Sequence, residues 1–185
     1  MPLQFEPSAP SAWVRRFAQL IAPGGAVLDV ACGRGRHARY LAALGYRVEA
    51  VDRDSEALAT LADVAGIATR VADLEDSPWP YPKGRFDGIV VTNYLHRPLK
   101  ATLLDALRPG GVLIYETFAQ GNQLYGRPSN PEFLLHPDEL LRWVEGRLQV
   151  LAFEQGLVER PAPAVVQRIC AANRGMQECR LDELP

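Results

Sequence analysis

Residues 27–35 read Val27-Leu28-Asp29-Val30-Ala31-Cys32-Gly33-Arg34-Gly35, and this stretch decides the fold. Ala26 to Val30 is short, apolar and β-branched, which predicts a buried strand. Two glycines follow at once. Arg36 to Leu44 then carries Tyr40, Leu41 and Leu44 at helical spacing, and Gly45 supplies a stop. A strand that turns through glycines straight into a helix is the first half of a βαβ unit. It aims free backbone N–H groups and the positive end of a helix at one crevice, which suits an anionic group.

The alternation continues on both sides. Arg47 to Val51 predicts a second strand, and Ser55 caps a helix through Ala65 with Leu58, Leu61 and Ala62 on one face. Ile67 to Val71 is a third strand. Phe86-Asp87-Gly88-Ile89-Val90-Val91-Thr92 is the most continuous strand signal in the chain. Pro98 opens a helix bearing Leu99, Leu103, Leu104 and Leu107; Pro109-Gly110-Gly111 is a turn, and Val112 to Phe118 a fifth strand. Upstream, Ser11 caps a helix to about Ile21, with Trp13, Phe17 and Leu20 inward. Downstream, a helix runs from Pro137 to about Glu145. Leu148 to Gln155 and Val165 to Ala172 leave no room for a crossover helix between them, so they predict an antiparallel hairpin. Five β–α repeats closed by a hairpin imply an α/β, doubly wound, mostly parallel sheet with helices on both faces. One domain is expected over residues 1–185, with an N-terminal arm at 1–10, a long loop at 119–136 and a tail at 174–185.

Composition excludes several classes. The 185 residues are 48% hydrophobic and 23% charged, with a net charge of −2, which fits one sizeable core. Lys83 and Lys100 are the lysines; the arginines are scattered and form no run. That gives no footprint for nucleic acid or an anionic membrane. No apolar run approaches the ~20 residues of a membrane span, and Met1 to Pro10 lacks the basic and apolar regions of a signal peptide. Cys32, Cys170 and Cys179 form no CxxC, so a reducing, cytoplasmic setting is expected. The cysteines and histidines lack metal-ligand spacing, and no metal is expected. Trp13, Trp79 and Trp143 read as packing residues.

Ligands of such sheets bind beyond the carboxyl ends of the strands, and three acids stand there. Asp29 ends the first strand. Gly33-x-Gly35-x-x-Ala38 alone also matches a dinucleotide fingerprint. A carboxylate at Asp29, however, repels a pyrophosphate and suits an ammonium or sulfonium, which favours S-adenosylmethionine over NAD. Asp52, about twenty residues past the loop, can accept from both ribose hydroxyls. At Asp73-Leu74 the acid can accept from an adenine amino group, and the leucine can cover the ring.

Taken together, residues 27–35, Val51-Asp52, Asp73-Leu74, Phe86-Asp87-Gly88-Ile89-Val90 and Arg108-Pro109-Gly110-Gly111-Val112-Leu113 resemble the class I S-adenosylmethionine-dependent methyltransferases. The resemblance covers nearly the whole chain. Gly35-Arg36-His37 and the compact size look most like the small tellurite-resistance type, in which the position of His37 is often Asn. The resemblance implies the Rossmann-like methyltransferase fold, with seven strands and the last antiparallel. It also implies cofactor contacts at Asp29, Gly33, Gly35, Asp52, Asp73 and around Asn93, with Ala31, His37, Arg53 and Leu74 beside them.

The same resemblance puts the end of the fourth strand, Asn93-Tyr94-Leu95-His96, between cofactor and substrate. Tyr94 and His96 are the candidate catalytic groups. His96 can serve as a general base, or simply bond to backbone near a helix start; methyl transfer often needs no base. The loop at 119–136 is long enough for a lid and carries Tyr125 and Arg127, a candidate holder of an anionic substrate group. His136, ahead of Pro137, reads as structural. The leading expectation is methyl transfer to a small molecule. Two alternatives stay open: an NAD-dependent oxidoreductase on the same sheet, and a non-catalytic module that binds S-adenosylmethionine.

Overall fold

The computed structural model describes residues 9–173. The first eight residues of the expected arm, the expected tail and Cys179 lie outside them. Seven strands form one sheet: β1 (Ala26–Val30), β2 (Arg47–Asp52), β3 (Ile67–Val71), β4 (Phe86–Thr92), β5 (Leu107–Phe118), β6 (Leu148–Val158) and β7 (Ala164–Asn173). Their order is β3-β2-β1-β4-β5-β7-β6. β1 to β5 pair in parallel, and β7 runs antiparallel to both β5 and β6. The expected hairpin therefore forms, and its second strand slots between the first and the rest of the sheet. The order reverses between β1 and β4, so the crevice opens beyond those two strands.

Five helices cover the faces: α1 (Ala12–Phe17), α2 (Arg36–Ala43), α3 (Ser55–Ala59), α4 (Lys100–Ala106) and α5 (Glu139–Val144). Trp13, Phe17, Ala38, Leu41 and Leu58 pack with Val27 and Val90 on one face. Leu103, Leu104, Leu140 and Trp143 pack with Leu28, Val30 and Ile89 on the other. All five residues of β1 are buried, as a central strand covered on both faces must be. Asp87 fixes the far end of the sheet: it accepts from the Ala26 amide at 2.7 Å and from Arg108 Nη1 at 3.0 Å.

Several local expectations need correction. On α2 the buried residues are His37, Ala38 and Leu41, whereas Leu44 is half exposed. The His37 ring bonds outward to Ser11 and Thr92, and that sets the rotation of the helix. Leu20 is only partly buried, with Val14 taking the inward place on α1. The cap of α3 is Asp54, whose carboxylate accepts from the Glu56 and Ala57 amides. That helix ends at Ala59 and Ala62 is exposed. The Thr60 hydroxyl donates back to the Ala57 carbonyl at 2.7 Å, and Arg39 takes the Thr60 carbonyl, so the ladder is not propagated. No helix separates β3 from β4. Pro109-Gly110-Gly111 is a bulge inside β5, where the register with β4 jumps from Phe86↔Leu107 to Gly88↔Val112.

Gly88 allows α1 and its following turn to lie close to the sheet. A Cβ there would sit 2.5 Å from Ile21 Cδ1. Gly88→Ala is expected to cost about 1–3 kcal/mol by overpacking. Chemical denaturation of Gly88→Ala, Ile21→Val and the double variant checks this: the double should be more stable than the two single costs summed predict.

Candidate active site

The crevice is built from the turn after β1. Ala31, Gly33 and Gly35 all have left-handed φ values, 51°, 54° and 72°. The Cys32 amide continues the sheet to Val51 O at 3.1 Å, and the Gly35 amide closes the turn on Cys32 O at 2.9 Å. Glycine is required at 35 twice over, because a Cβ would also sit 2.5 Å from Leu61 Cδ1. At Gly33 a Cβ would meet no atom within 4 Å, so glycine there leaves space open on the crevice side. The Gly33 amide donates to Asp52 Oδ2 at 2.7 Å, and the Asp54 amide to Asp52 Oδ1 at 2.9 Å. These bonds tie the ends of β1 and β2 together. Asp73, past the end of β3, holds its own turn through the Glu75 amide at 2.9 Å.

Asp29 lies behind this turn and is 1% exposed. Burial pushes its pKa up to about 7, against a backbone hydrogen bond from Ala38 and the charge of Arg36; the charge of Asp52 adds to the rise. Its Oδ2 atom is buried with no hydrogen-bond partner. A buried carboxylate oxygen without a donor is costly, and a bound cationic or N–H group would satisfy it.

Three adjoining cavities follow the carboxyl ends of the strands. The first, about 500 Å³, is lined by Ala31, Gly33, Arg36, His37, Thr92 and Asn93 among others. The second, about 300 Å³, shares Ala31 and adds Asp52, Arg53, Asp73, Leu74, Glu75, Tyr94 and Phe133. The third, about 200 Å³, shares Asn93 with the first, and Glu75, Tyr94 and Phe133 with the second. The structure thus brings Ala31, Gly33, His37, Asp52, Arg53, Asp73, Leu74, Asn93 and Tyr94 to one continuous crevice. Asp29 and Gly35 back it without lining these cavities.

His96, Tyr125 and Arg127 do not line them. His96 precedes the turn at Arg97–Leu99, and its carbonyl accepts from the Leu99 amide. The long loop is folded back on itself by buried Asn122, which donates to Pro128 O at 3.0 Å and accepts from the Val165 amide at 3.1 Å. Pro128 and Phe133 therefore reach the third cavity, while Tyr125 and Arg127 are exposed. Arg97 pins the rest of the loop. It pairs with both Glu139 oxygens at 2.8 and 3.0 Å and donates to Glu132 O and Leu134 O. His136 is held structurally, its amide on Glu139 and its carbonyl on Gln167.

His37 is 2% exposed, and burial pushes its pKa down to about 3. Its Nε2 accepts from the Ser11 amide at 3.1 Å, so the neutral ring carries its proton on Nδ1, 3.2 Å from Thr92 Oγ1. Both nitrogens are committed to the protein, and the ring acts as a wall of the first cavity. Glu75 and Phe133 were missed in the sequence. Glu75 was in reach, two residues past the strand-end acid Asp73; Phe133 gave no local signal. Among the described residues no three His, Cys, Asp or Glu side chains group to hold a metal, and no helix is long and apolar enough to cross a membrane.

The sheet order, the glycine turn and the strand-end acids define a nucleotide-type crevice of the methyltransferase kind. Comparison with known proteins agrees. Residues 27–111 match the family model described as a methyltransferase domain. The chain is similar to the protein-L-isoaspartate O-methyltransferase of Chlorobaculum tepidum, 35% identical over 55% of this chain and 48% of that protein, so it spans about half that relative's length. TehB from Haemophilus influenzae has the same fold, with a TM-score of 0.76 at 21% identity, covering 90% of this chain and 63% of that one. So has the Burkholderia thailandensis 1,6-didemethyltoxoflavin-N1-methyltransferase, solved with bound 1,6-didemethyltoxoflavin and S-adenosylhomocysteine: TM-score 0.65, 22% identity, 89% of this chain and 77% of that one. In residues 27–111 and in fold the chain is thus similar to the S-adenosylmethionine-dependent methyltransferases.

Asp29 should cost the ligand-free protein stability above neutrality. Its raised pKa contributes stability that is complete below the ordinary carboxylate pKa and is lost as pH rises through about 7. Asp29→Asn stays uncharged throughout. It is expected to raise Tm by several degrees at pH 8, by clearly less at pH 5, and to change it little only below about pH 4, read by calorimetry without ligand.

Proposed function

We propose that the chain binds S-adenosylmethionine along the strand ends and transfers its methyl group to a small-molecule acceptor by in-line displacement. The observation that carries this reading is the buried, unpartnered Oδ2 of Asp29 beneath the glycine turn. A dinucleotide pyrophosphate would meet a carboxylate there; the ammonium of a methionine moiety would satisfy it. The residues present fit the cofactor throughout. The N–H groups opening α2, with Arg36 beside them, receive the methionine carboxylate. Asp52 keeps lone pairs for ribose hydroxyls, since each of its oxygens accepts one backbone N–H. Asp73 accepts from the adenine amino group, and buried Leu74 covers the ring.

When bound, the cofactor supplies an electrophilic methyl carbon on a sulfonium. The protein's part is to hold the acceptor in line with that carbon and to keep water out, which supplies much of the rate in such displacements. Asn93 and Tyr94 stand where the three cavities meet. Asn93 is fixed by its left-handed φ of 55° and its amide bond to Glu116 O, and Tyr94 by the Tyr115 hydroxyl donating to its carbonyl at 2.8 Å. His96 has no role in this reading. Tyr94 serves the acceptor side.

The charge on Asp29 supplies the test. Ligand-free protein holds Asp29 largely protonated below pH 7, while an ammonium partner favours the carboxylate. Binding therefore releases a proton in acid. The affinity for S-adenosylhomocysteine should level off above pH 8 and fall on acidification, approaching about tenfold per pH unit below pH ~6. Asp29→Asn should weaken binding at pH 8 by at least about tenfold and flatten the pH profile. A wild-type profile in that variant contradicts the assignment.

A further inference from the structure

We infer that the acceptor is an uncharged or cationic nucleophile that carries its own proton on a flat body of about one ring, and that Tyr94 and Glu75 take that proton. The inference rests on the methyl-transfer reading above and narrows its substrate.

It starts from the third cavity, the one that adjoins both of the others. Leu95, Phe118, Pro128 and Phe133 give it apolar walls. Its volume is about 200 Å³; an apolar cavity of about 150 Å³ is enough to bind benzene. A single substituted ring fits that space.

The charges of this cavity are one-sided. Glu75 and Tyr94 are its ionisable lining residues, and no Lys, Arg or His lines it. Arg53 lines the second cavity, and Arg127 is exposed on the folded-back loop. An anionic acceptor in this cavity would face the Glu75 carboxylate with no cation among the lining residues. A neutral or cationic group meets no such barrier.

Glu75 and Tyr94 also form a connected pair. Both line the second and the third cavity, and burial together with the charges of Glu75 and Asp73 keeps the phenol protonated. In the proposed relay the phenolic O–H turns to the Glu75 carboxylate, which leaves the Tyr94 oxygen lone pairs to accept from an acceptor X–H. An ammonium acceptor first gives one proton up to water, which frees its lone pair; as the X–C bond forms from that lone pair and the S–C bond breaks, the sulfur keeps the bonding pair. The X–H proton passes to the Tyr94 oxygen, the Tyr94 proton passes to Glu75, and Glu75 returns it to water. The net products of the transfer are X–CH3, a neutral thioether and one proton.

The test uses the full chain and begins with S-adenosylhomocysteine titration of wild type, Glu75→Gln and Tyr94→Phe. Failure of wild type to bind would defeat the methyl-transfer reading itself. Equal affinity within about twofold across the three shows an intact cofactor site. The loaded proteins are then titrated with phenol, benzylamine and benzoate. Phenol and benzylamine should bind wild type at least about tenfold more tightly than benzoate, and Glu75→Gln should erase most of that difference. With S-adenosylmethionine, Glu75→Gln and Tyr94→Phe should lower kcat for the bound probes by about tenfold or more with little change in KM. Glu75→Asp should restore part of it. Benzoate binding as tightly as phenol, no ring probe binding at all, or an unchanged preference in Glu75→Gln would overturn the acceptor class. Absence of turnover with both bound probes, or variants that move only KM, would overturn the proton role.

Discussion

The Gly33 amide donates to the Asp52 carboxylate at 2.7 Å, and the crevice depends on that bond. It joins the ends of two neighbouring parallel strands on the side where the strand order reverses. For the amide to reach Asp52, the chain must turn through left-handed conformations at Ala31, Gly33 and Gly35. That turn starts α2 within one residue and leaves its first N–H groups facing the crevice. The same carboxylate also accepts from the Asp54 amide, so one side chain sets two successive turns. The first and second cavities meet at Ala31, above this junction.

Two buried ionisable groups sit close to the junction and behave oppositely. His37 is satisfied: both ring nitrogens have protein partners, and it stays neutral across the physiological range. Asp29 is not satisfied: it keeps an oxygen without a donor and titrates near neutrality. A fold selected for stability alone would place an apolar residue there. The cost makes sense as preparation for a charged ligand, because an unpaired buried carboxylate has much to gain from a cationic partner. The loop beside the third cavity is the contrary case. Arg97, Glu139, Asn122 and Gln167 satisfy its backbone from below, so it is held in place by buried polar contacts.

The fold was largely legible because it rests on local patterns. Apolar runs of four to seven residues, punctuated by glycines and followed by helical spacing, place the strands within a few residues, except that β5 starts at Leu107, ahead of the expected turn. The strand-end acids were legible for the same reason, since the position of a residue after a strand predicts where it lies in a doubly wound sheet. What stayed hidden depends on distant partners. The rotation of α2 follows from bonds His37 makes 26 residues upstream and 55 downstream, which no helical wheel contains. Arg39 on α2 takes the carbonyl that would otherwise continue α3. Arg127 reads as a substrate residue by type and loop, yet Asn122 folds the loop so that Pro128 and half-exposed Phe133 line the third cavity instead. The Glu75–Tyr94 pair brings together two strand ends separated by β1 and β2 in the sheet, and only the folded order reveals it.

The central claim is the identity of the ligand beneath the glycine turn. The most direct measurement is calorimetric titration of the purified chain with S-adenosylmethionine, S-adenosylhomocysteine and NAD in parallel at pH 8. The account predicts saturable one-to-one binding of the first two and no heat from NAD. Binding of NAD without the other two would contradict the role given to Asp29, and with it the methyltransferase reading.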